Sequence, residues 1–266
     1  MMLVPDPKAF EFKSDVKVTV DAKSIKLPPR SFEMELYVDD NCTVCPVALA
    51  LASATEDALK PRLEVTAYNL SHIDMPIKVN ATPAFCLRVK GGSGCVYWEG
   101  IPLDPGDWEK FLSEKLEKAY IATHPFISKF IEKVKNFATQ NNYVVVLDTQ
   151  MRNRLLRELL ENYDVYGQPY CPCRPQHSEA TVCPCTFAKA DIAKMGHCLC
   201  GLFWSKEFAQ KWLESSKRRN AKKLETIDKL IAMLNELKDR IILNDRDAVE
   251  KTIDAIMTAY SELSSA

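Results

Sequence analysis

Six of the ten cysteines fall between residues 171 and 200, as three pairs: Cys171-Pro172-Cys173, Cys183-Pro184-Cys185 and Cys198-Leu199-Cys200. No other feature restricts the fold as tightly. Thiols crowded to this density call for a metal or for disulfides, so the segment must fold as loops and short turns that gather sulfur. Four thiolates complete an iron–sulfur cluster, and six leave two over. Zinc sites favour gaps of about two to four residues between paired cysteines, and the one-residue gaps here argue against zinc. A zinc-stabilised binding or scaffold module nevertheless stays as an alternative, as does an iron–sulfur redox sensor.

Redox compartment decides how thiols are read. The opening residues, MMLVPDPKAFEF, lack the basic start and long apolar stretch of a secretory signal. No apolar run reaches the roughly eighteen residues that a membrane span needs. A cytoplasmic chain is therefore expected, where clustered cysteines point to metal or catalysis before structural staples. With 266 residues, 47% hydrophobic and 27% charged, the chain can bury real cores in about two domains. A net charge of −1 gives no sign of nucleic-acid or membrane partners.

Residues 1–30 hold an alternating stretch, Val16–Val20, that suits a half-buried strand, and end in the turn or linker Leu27-Pro28-Pro29. Strand, loop, helix and strand then follow over Met34–Val38, Pro46–Leu59 and Leu63–Tyr68. Pro83–Val89 and Cys95–Trp98 flank Gly91-Gly92-Ser93-Gly94, a hairpin signal, and a helix starts at Asp104-Pro105-Gly106-Asp107 and runs to about Lys118. His124-Pro125 marks a boundary. Helices follow over Phe126–Thr139 and Thr149–Tyr163, with the short apolar run Tyr143–Leu147 between them. After the cysteine-rich loops comes a helix over Phe203–Ser215. Beyond Ser216, one apolar stripe through Leu224, Ile227, Ile231 and Leu234 and another through Val249, Ile253, Ile256, Tyr260 and Leu263 predict an αα-hairpin turning at Asn244-Asp245. The expected fold class is α/β (α+β): a domain with a mixed sheet, a mainly helical cysteine-bearing domain and a C-terminal αα-hairpin.

Cys42-Thr43-Val44-Cys45-Pro46 lies between a predicted strand and a predicted helix. The first cysteine then sits near a helix N-terminus, where the dipole and free N–H groups favour a thiolate, and the second lies one turn inward. About forty residues on, Thr82-Pro83 immediately precedes a strand. This arrangement resembles the thioredoxin/glutaredoxin superfamily over residues 31–120. The resemblance implies Cys42 as nucleophile, Cys45 as resolving thiol, a cis Pro83 facing them, and substrate pairing at the backbone of Thr82. Cys86 and Cys95, in the strands of the same domain, are expected to be buried small hydrophobes.

The three pairs, two of them Cys-Pro-Cys, with Tyr166-Gly167-Gln168-Pro169-Tyr170 before the first and Gly201-Leu202-Phe203 after the last, resemble the catalytic subunit of ferredoxin:thioredoxin reductase over about residues 124–205. Spacing alone leaves the roles of the six open. The resemblance implies Cys171, Cys183, Cys185 and Cys198 as ligands of a 4Fe-4S cluster. It implies Cys173 and Cys200 as the redox-active disulfide, with Cys173 the attacking thiol and Cys200 held at the cluster. The family's third pair is usually Cys-His-Cys; here Leu199 takes the histidine's place, and His197 and His177 are the candidate proton donors. The intervals between pairs also differ from the family's, the first shorter and the second longer.

Together the two resemblances imply a relay from ferredoxin through the cluster to Cys173–Cys200, then to Cys42–Cys45, then to thioredoxin-like or other protein disulfides. Plant-type ferredoxins lie near about −400 mV and thioredoxin near about −270 mV. The gap of about 130 mV for two electrons is roughly 6 kcal/mol of driving force. Expected domains are the extension 1–30, the thioredoxin/glutaredoxin-like domain 31–120, the iron–sulfur domain 121–215 and the helical hairpin 216–266. Lys217-Arg218-Arg219 with Lys222-Lys223 reads first as a solvated helix face and second as an attractor for an acidic ferredoxin.

Overall fold

The computed structural model describes residues 16–72, 79–242 and 252–258. The chain divides into two compact units, residues 1–203 and 204–266.

In the first unit a four-stranded sheet is built from β1 (Phe32–Val38), β2 (Leu63–Asn69), β3 (Ala84–Val89) and β4 (Val96–Glu99), in the order β2-β1-β3-β4. β1 and β2 run parallel, with Met34 opposite Val65, so the chain between them must cross over, and helix α1 (Cys45–Leu59) is that crossover. β3 returns antiparallel to β1 with Leu87 opposite Met34, and β4 pairs antiparallel with β3. Period-two alternation decides which face is buried. Phe32, Met34 and Leu36 on β1 and Phe85 and Leu87 on β3 belong to the main core, with Ala48, Leu51 and Ala52 of α1 and Trp108, Leu112 and Leu116 of α2 (Trp108–Thr123). Glu33, Glu35 and Arg88 take the opposite face, where Arg88 is paired with both carboxylates. The indole N–H of Trp108 is satisfied by the Thr55 hydroxyl at 2.8 Å.

The β3–β4 turn presses on the end of α2. The Thr123 hydroxyl accepts from the Val89 N–H at 2.8 Å. A Cβ at position 92 would stand 1.9 Å from the Thr123 carbonyl oxygen, so only glycine lets the turn approach this closely.

Helices α3 (Ile127–Gln140) and α4 (Thr149–Tyr166) follow. The Asp148 side chain caps α4 by accepting from the Met151 N–H, and Gly167, at φ 73°, ends it. Ile127 and Leu160 complete the same core as the sheet. At that seam the buried Asp164 of α4 accepts from Arg30, from the Tyr120 hydroxyl at 2.7 Å and from His124 Nε2 at 3.1 Å. His124 Nδ1 in turn accepts the Phe126 N–H at 3.1 Å, which assigns the neutral tautomer with its proton on Nε2.

Four expectations are corrected here. Val16–Val20 forms no strand: Val18 and Val20 pack on the core. The segment that follows is tied to α2 by Glu109 Oε1, which accepts from Asp21 N–H, and Ser113 Oγ, which accepts from Lys26 N–H, instead of by a ladder. α2 runs to Thr123 and not to about Lys118, because Leu116, Ala119 and Tyr120 continue its buried face. The cysteine-rich segment contains a helix, α5 (Ala188–Met195). In the second unit the helix expected over Phe203–Ser215 and the first arm of the hairpin are one helix, α6 (Lys206–Ile242), with no break at Ser216. Leu224, Ile227, Ile231 and Leu234 are exposed on α6, as are Lys217, Arg218, Arg219, Lys222 and Lys223. Residues 252–258 are helical; the turn at Asn244-Asp245 and Val249, Tyr260 and Leu263 lie outside the described residues. Among the described residues no helix is long and apolar enough to cross a membrane.

Burial pushes the His124 pKa down, against the pull of Asp164. Burial raises the Asp164 carboxyl, but hydrogen bonds from Arg30, Tyr120 and His124 outweigh it and hold the group below its usual range. Both groups therefore bind protons more readily in the unfolded chain, and both contributions to stability are lost as pH falls. The melting temperature should drop as pH is lowered through about 6.5, the unperturbed histidine value, and drop again as Asp164 protonates. In His124→Gln the first drop should be absent. Asp164→Asn should cost about 3 kcal/mol at neutral pH, measured by denaturant titration.

Candidate active site

Cys42 and Cys45 stand where β1 hands over to α1, and they are joined as a disulfide with Cα atoms 5.4 Å apart. Cys45 is the first residue of α1 rather than one turn inside it, and Pro46 follows at a position where its missing N–H costs nothing. Cys42 lies in the preceding turn, its N–H donating to the Asp39 carbonyl at 3.2 Å. Cys42 is half-buried and Cys45 is buried. The Thr82-Pro83 peptide is cis. Since Ala84 pairs with Tyr37, buried Pro83 and half-buried Thr82 lie at the sheet end from which the chain leaves for Cys42.

The other six cysteines are free thiols, Cys173 exposed and the remaining five buried. Main-chain bonds assemble them. Cys171 N–H donates to the Thr181 carbonyl at 2.8 Å and Cys183 N–H to the Pro169 carbonyl at 2.9 Å, so a single antiparallel bridge, Tyr170 with Val182, sets the first pair beside the second. α5 then carries the chain to the third pair and ends at Gly196, φ 82°. Around that pair the chain loops back, Gly201 N–H donating to the Cys198 carbonyl at 2.8 Å and Cys198 N–H to the Phe203 carbonyl at 2.9 Å.

The sulfurs form a connected series. Cys198 Sγ and Cys200 Sγ are 3.6 Å apart. Interaction with the thiols of Cys185 and Cys200 lowers the Cys171 pKa to about 3, against the opposing effect of burial. Cys198 is lowered to about 7, first by the Cys200 thiol, with burial opposing and the N–H groups of Phe203, Gly201 and Leu202 assisting. The same interactions raise Cys185 and Cys200. Burial raises Cys183, and burial followed by the charge on Cys171 raises Cys173. The Phe203 N–H stands 3.3 Å from Cys198 Sγ.

Sequence reasoning missed the residues that clamp the three pairs. Arg174, next to Cys173, donates to Asp191 of α5 at 2.6 Å, lies over the Phe187 ring, and favours the thiolate of Cys185 by its charge. Asp191 also accepts the Leu199 N–H at 3.2 Å. A charged residue directly after the first pair was the available signal; its partner, seventeen positions on, had none. The candidate proton donors lie differently from each other. His197 Nδ1 donates to the Cys198 carbonyl at 2.8 Å, whereas His177 stacks on the Tyr170 ring at 4.6 Å and meets Tyr166 edge-on. The structure brings Cys200 to Cys171 and Cys198 and leaves Cys173 exposed, with no bond between Cys173 and Cys200.

Among the described residues no three His, Cys, Asp or Glu side chains are arranged around a point as ligands of one ion. The donor chemistry nonetheless suits an iron–sulfur cluster. Five buried sulfurs are in no disulfide, and the Phe203 N–H is aimed at Cys198 Sγ, the kind of contact by which proteins stabilise cluster sulfur. Residues 122–229 match the family model of the ferredoxin thioredoxin reductase catalytic beta chain. That stretch holds all six clustered cysteines and supports disulfide oxidoreductase activity for this part of the chain. It also reaches beyond residue 205 into α6. A search of the curated proteins finds no match.

Cys86 and Cys95 are not separate buried hydrophobes: they form a disulfide, Cα atoms 5.5 Å apart, with Cys95 exposed.

In the metal-free folded chain, limiting iodoacetamide at mildly alkaline pH should label Cys173 first among the clustered six, read by peptide mass mapping. Labelling of Cys183 at an equal rate would contradict the burial described.

Proposed function

We propose that the chain is a ferredoxin-dependent disulfide reductase whose exposed Cys173 works beside a cluster held by Cys171, Cys183, Cys185 and Cys198. One observation carries the reading: inside the family-matched stretch, a single reachable thiol is set against five buried sulfurs. When bound, the 4Fe-4S cluster supplies electrons from ferredoxin one at a time, and two such deliveries restore the Cys173 and Cys200 thiols.

The chain's own residues do the exchange. Cys173, as thiolate, attacks one sulfur of the substrate disulfide and the other sulfur leaves. Cys200, a neighbour of Cys171 and Cys198, attacks the mixed disulfide and releases the second substrate thiol, which leaves Cys173–Cys200 oxidised. Arg174 orients Cys185 and, through Asp191, the main chain at Leu199. No side chain at 199 offers a proton, so His197, beside Cys198, is the donor assigned to the leaving thiolate.

The N-terminal region acts as a fused thioredoxin/glutaredoxin-like module, residues 31–120, and Cys42–Cys45 is the first acceptor. The β2-β1-β3-β4 order, the pair at the β1–α1 junction and the cis Thr82-Pro83 peptide support that reading. Cys42 then passes the electrons to an external protein disulfide.

An anaerobically prepared chain should be brown, with about four iron and four sulfide; stoichiometric zinc without iron would end the proposal. Cys173→Ser should keep the colour and lose ferredoxin-dependent disulfide reduction by on the order of 1,000-fold or more. Cys42→Ser should block reduction of the final acceptor while Cys173 and Cys200 still cycle, followed by thiol alkylation.

A further inference from the structure

The Cys86–Cys95 disulfide lies apart from Cys42–Cys45. Cys86 sits on β3 opposite Glu35 of β1 and Tyr97 of β4. Phe85 and Leu87, its neighbours, turn into the main core, so Cys86 occupies the other face, in a small cluster with Tyr37 and Ala84. Cys42 and Cys45 pack into the main core. The ends of the sheet differ as well. The turn carrying Cys95 follows Val89, which pairs with Phe32 at the start of β1, whereas Cys42 follows Val38 at its end. A protein that reaches Cys95 therefore approaches a different surface from one that reaches Cys42.

The bond adds little to the hairpin it spans. Phe85 opposite Trp98 and Leu87 opposite Val96 already hold the two strands, and Gly91 and Gly94, both at positive φ, already set the turn. A cross-link between ends that are held together removes little freedom from the chain. Its two sulfurs are also unequal. Cys95 is exposed, and both cysteines line a cavity of about 380 Å³ together with Glu35, Tyr37, Arg88 and Tyr97. Cys86 is buried, with Arg88 Nη1 at 4.0 Å from its sulfur, and Arg88 is fixed in place by Glu33 and Glu35. A disulfide is cleaved fastest when one sulfur is reachable and the other can leave as a stabilised thiolate.

We propose that Cys86–Cys95 is a second thiol-exchange site, opened by protein dithiols of the Cys-x-x-Cys kind through attack on Cys95. The attacking thiolate bonds to Cys95 Sγ, the Cys86–Cys95 bond breaks, and its electron pair leaves on Cys86 Sγ beside the Arg88 guanidinium. The second thiol of the reductant then attacks the mixed disulfide. The reductant becomes a disulfide, Cys95 leaves as a thiolate, and the two protons given up by the dithiol end on Cys86 and Cys95. The site needs neither the cluster nor Cys42–Cys45.

The test uses the full chain carrying Cys42→Ser and Cys45→Ser, mixed with a thioredoxin whose resolving cysteine is serine, so that the mixed disulfide is trapped. Peptide mapping should find the probe on Cys95. Arg88→Leu should slow trapping roughly five- to tenfold, and Arg88→Lys, which keeps the charge, should restore it. A bond that opens only after unfolding in urea, or a probe found on Cys86 or on Cys173 alone, overturns the proposal. Because iron content and ferredoxin-dependent turnover play no part in the readout, its failure is separate from any failure of the reductase reading.

Discussion

Asp164 is the buried carboxylate on which the first unit's two halves meet. It belongs to α4, the helix that leads into the cysteines, yet its donors come from elsewhere: Arg30 before β1, Tyr120 near the end of α2, and His124 in the link to α3. A carboxylate out of water is tolerated only when its lone pairs are filled and a cation stands by, and here both conditions are met by residues of the sheet side. Satisfying one charge therefore fixes how α4 lies against α2, and Leu160 and Ile127 fall into the core of the sheet as a consequence. His124 takes part as a neutral ring, because its second nitrogen is already accepting a main-chain N–H.

From that fixed helix the cysteine segment is built by short-range means. One β-bridge, one eight-residue helix and one tight loop place five sulfurs in the interior. Thiols bury readily, but thiolates do not unless donors meet them. The Phe203 N–H on Cys198 is such a donor, present before any metal is considered. At position 199 the fold asks nothing of the side chain. What the structure uses there is the main-chain N–H, donated to Asp191, and a leucine supplies that as well as any other residue.

Much of this was legible because it depends on local period. Alternation marked β1 and β2, helical spacing marked α3 and α4, and the glycine turn marked the β3–β4 hairpin. Alternation misled at Val16–Val20, where Val18 and Val20 pack on the core but no strand forms. α5 was hidden because eight residues between cysteines show too little periodicity to separate a helix from a loop. The Cys86–Cys95 pairing was hidden because a cysteine in a strand and one in the neighbouring hairpin turn look the same in sequence whether bonded or merely buried. Arg174 with Asp191, and Arg30 with Asp164, are distant in the chain, and no local pattern announces a long-range ion pair. The roles of the six clustered cysteines came from resemblance, since three equal pairs are ambiguous by spacing.

Exposure divides the redox cysteines more sharply than spacing does. In the Cys42–Cys45 pair the first sulfur is half-buried and the second is closed off by α1. In Cys86–Cys95 the second is open and the first is closed off by the sheet. In the proposed Cys173 and Cys200 pair, one is open and the other sits among the buried sulfurs. Thiol–disulfide exchange between proteins imposes this asymmetry: one sulfur has to be reached along the line of attack, and the other has to be kept from every partner except the first. Two open sulfurs would leave the mixed disulfide to be resolved by any passing thiol, and two closed ones would not react at all. Three different local structures, a helix start, a hairpin and a loop, show the same division, which is the one the proposed exchange chemistry requires.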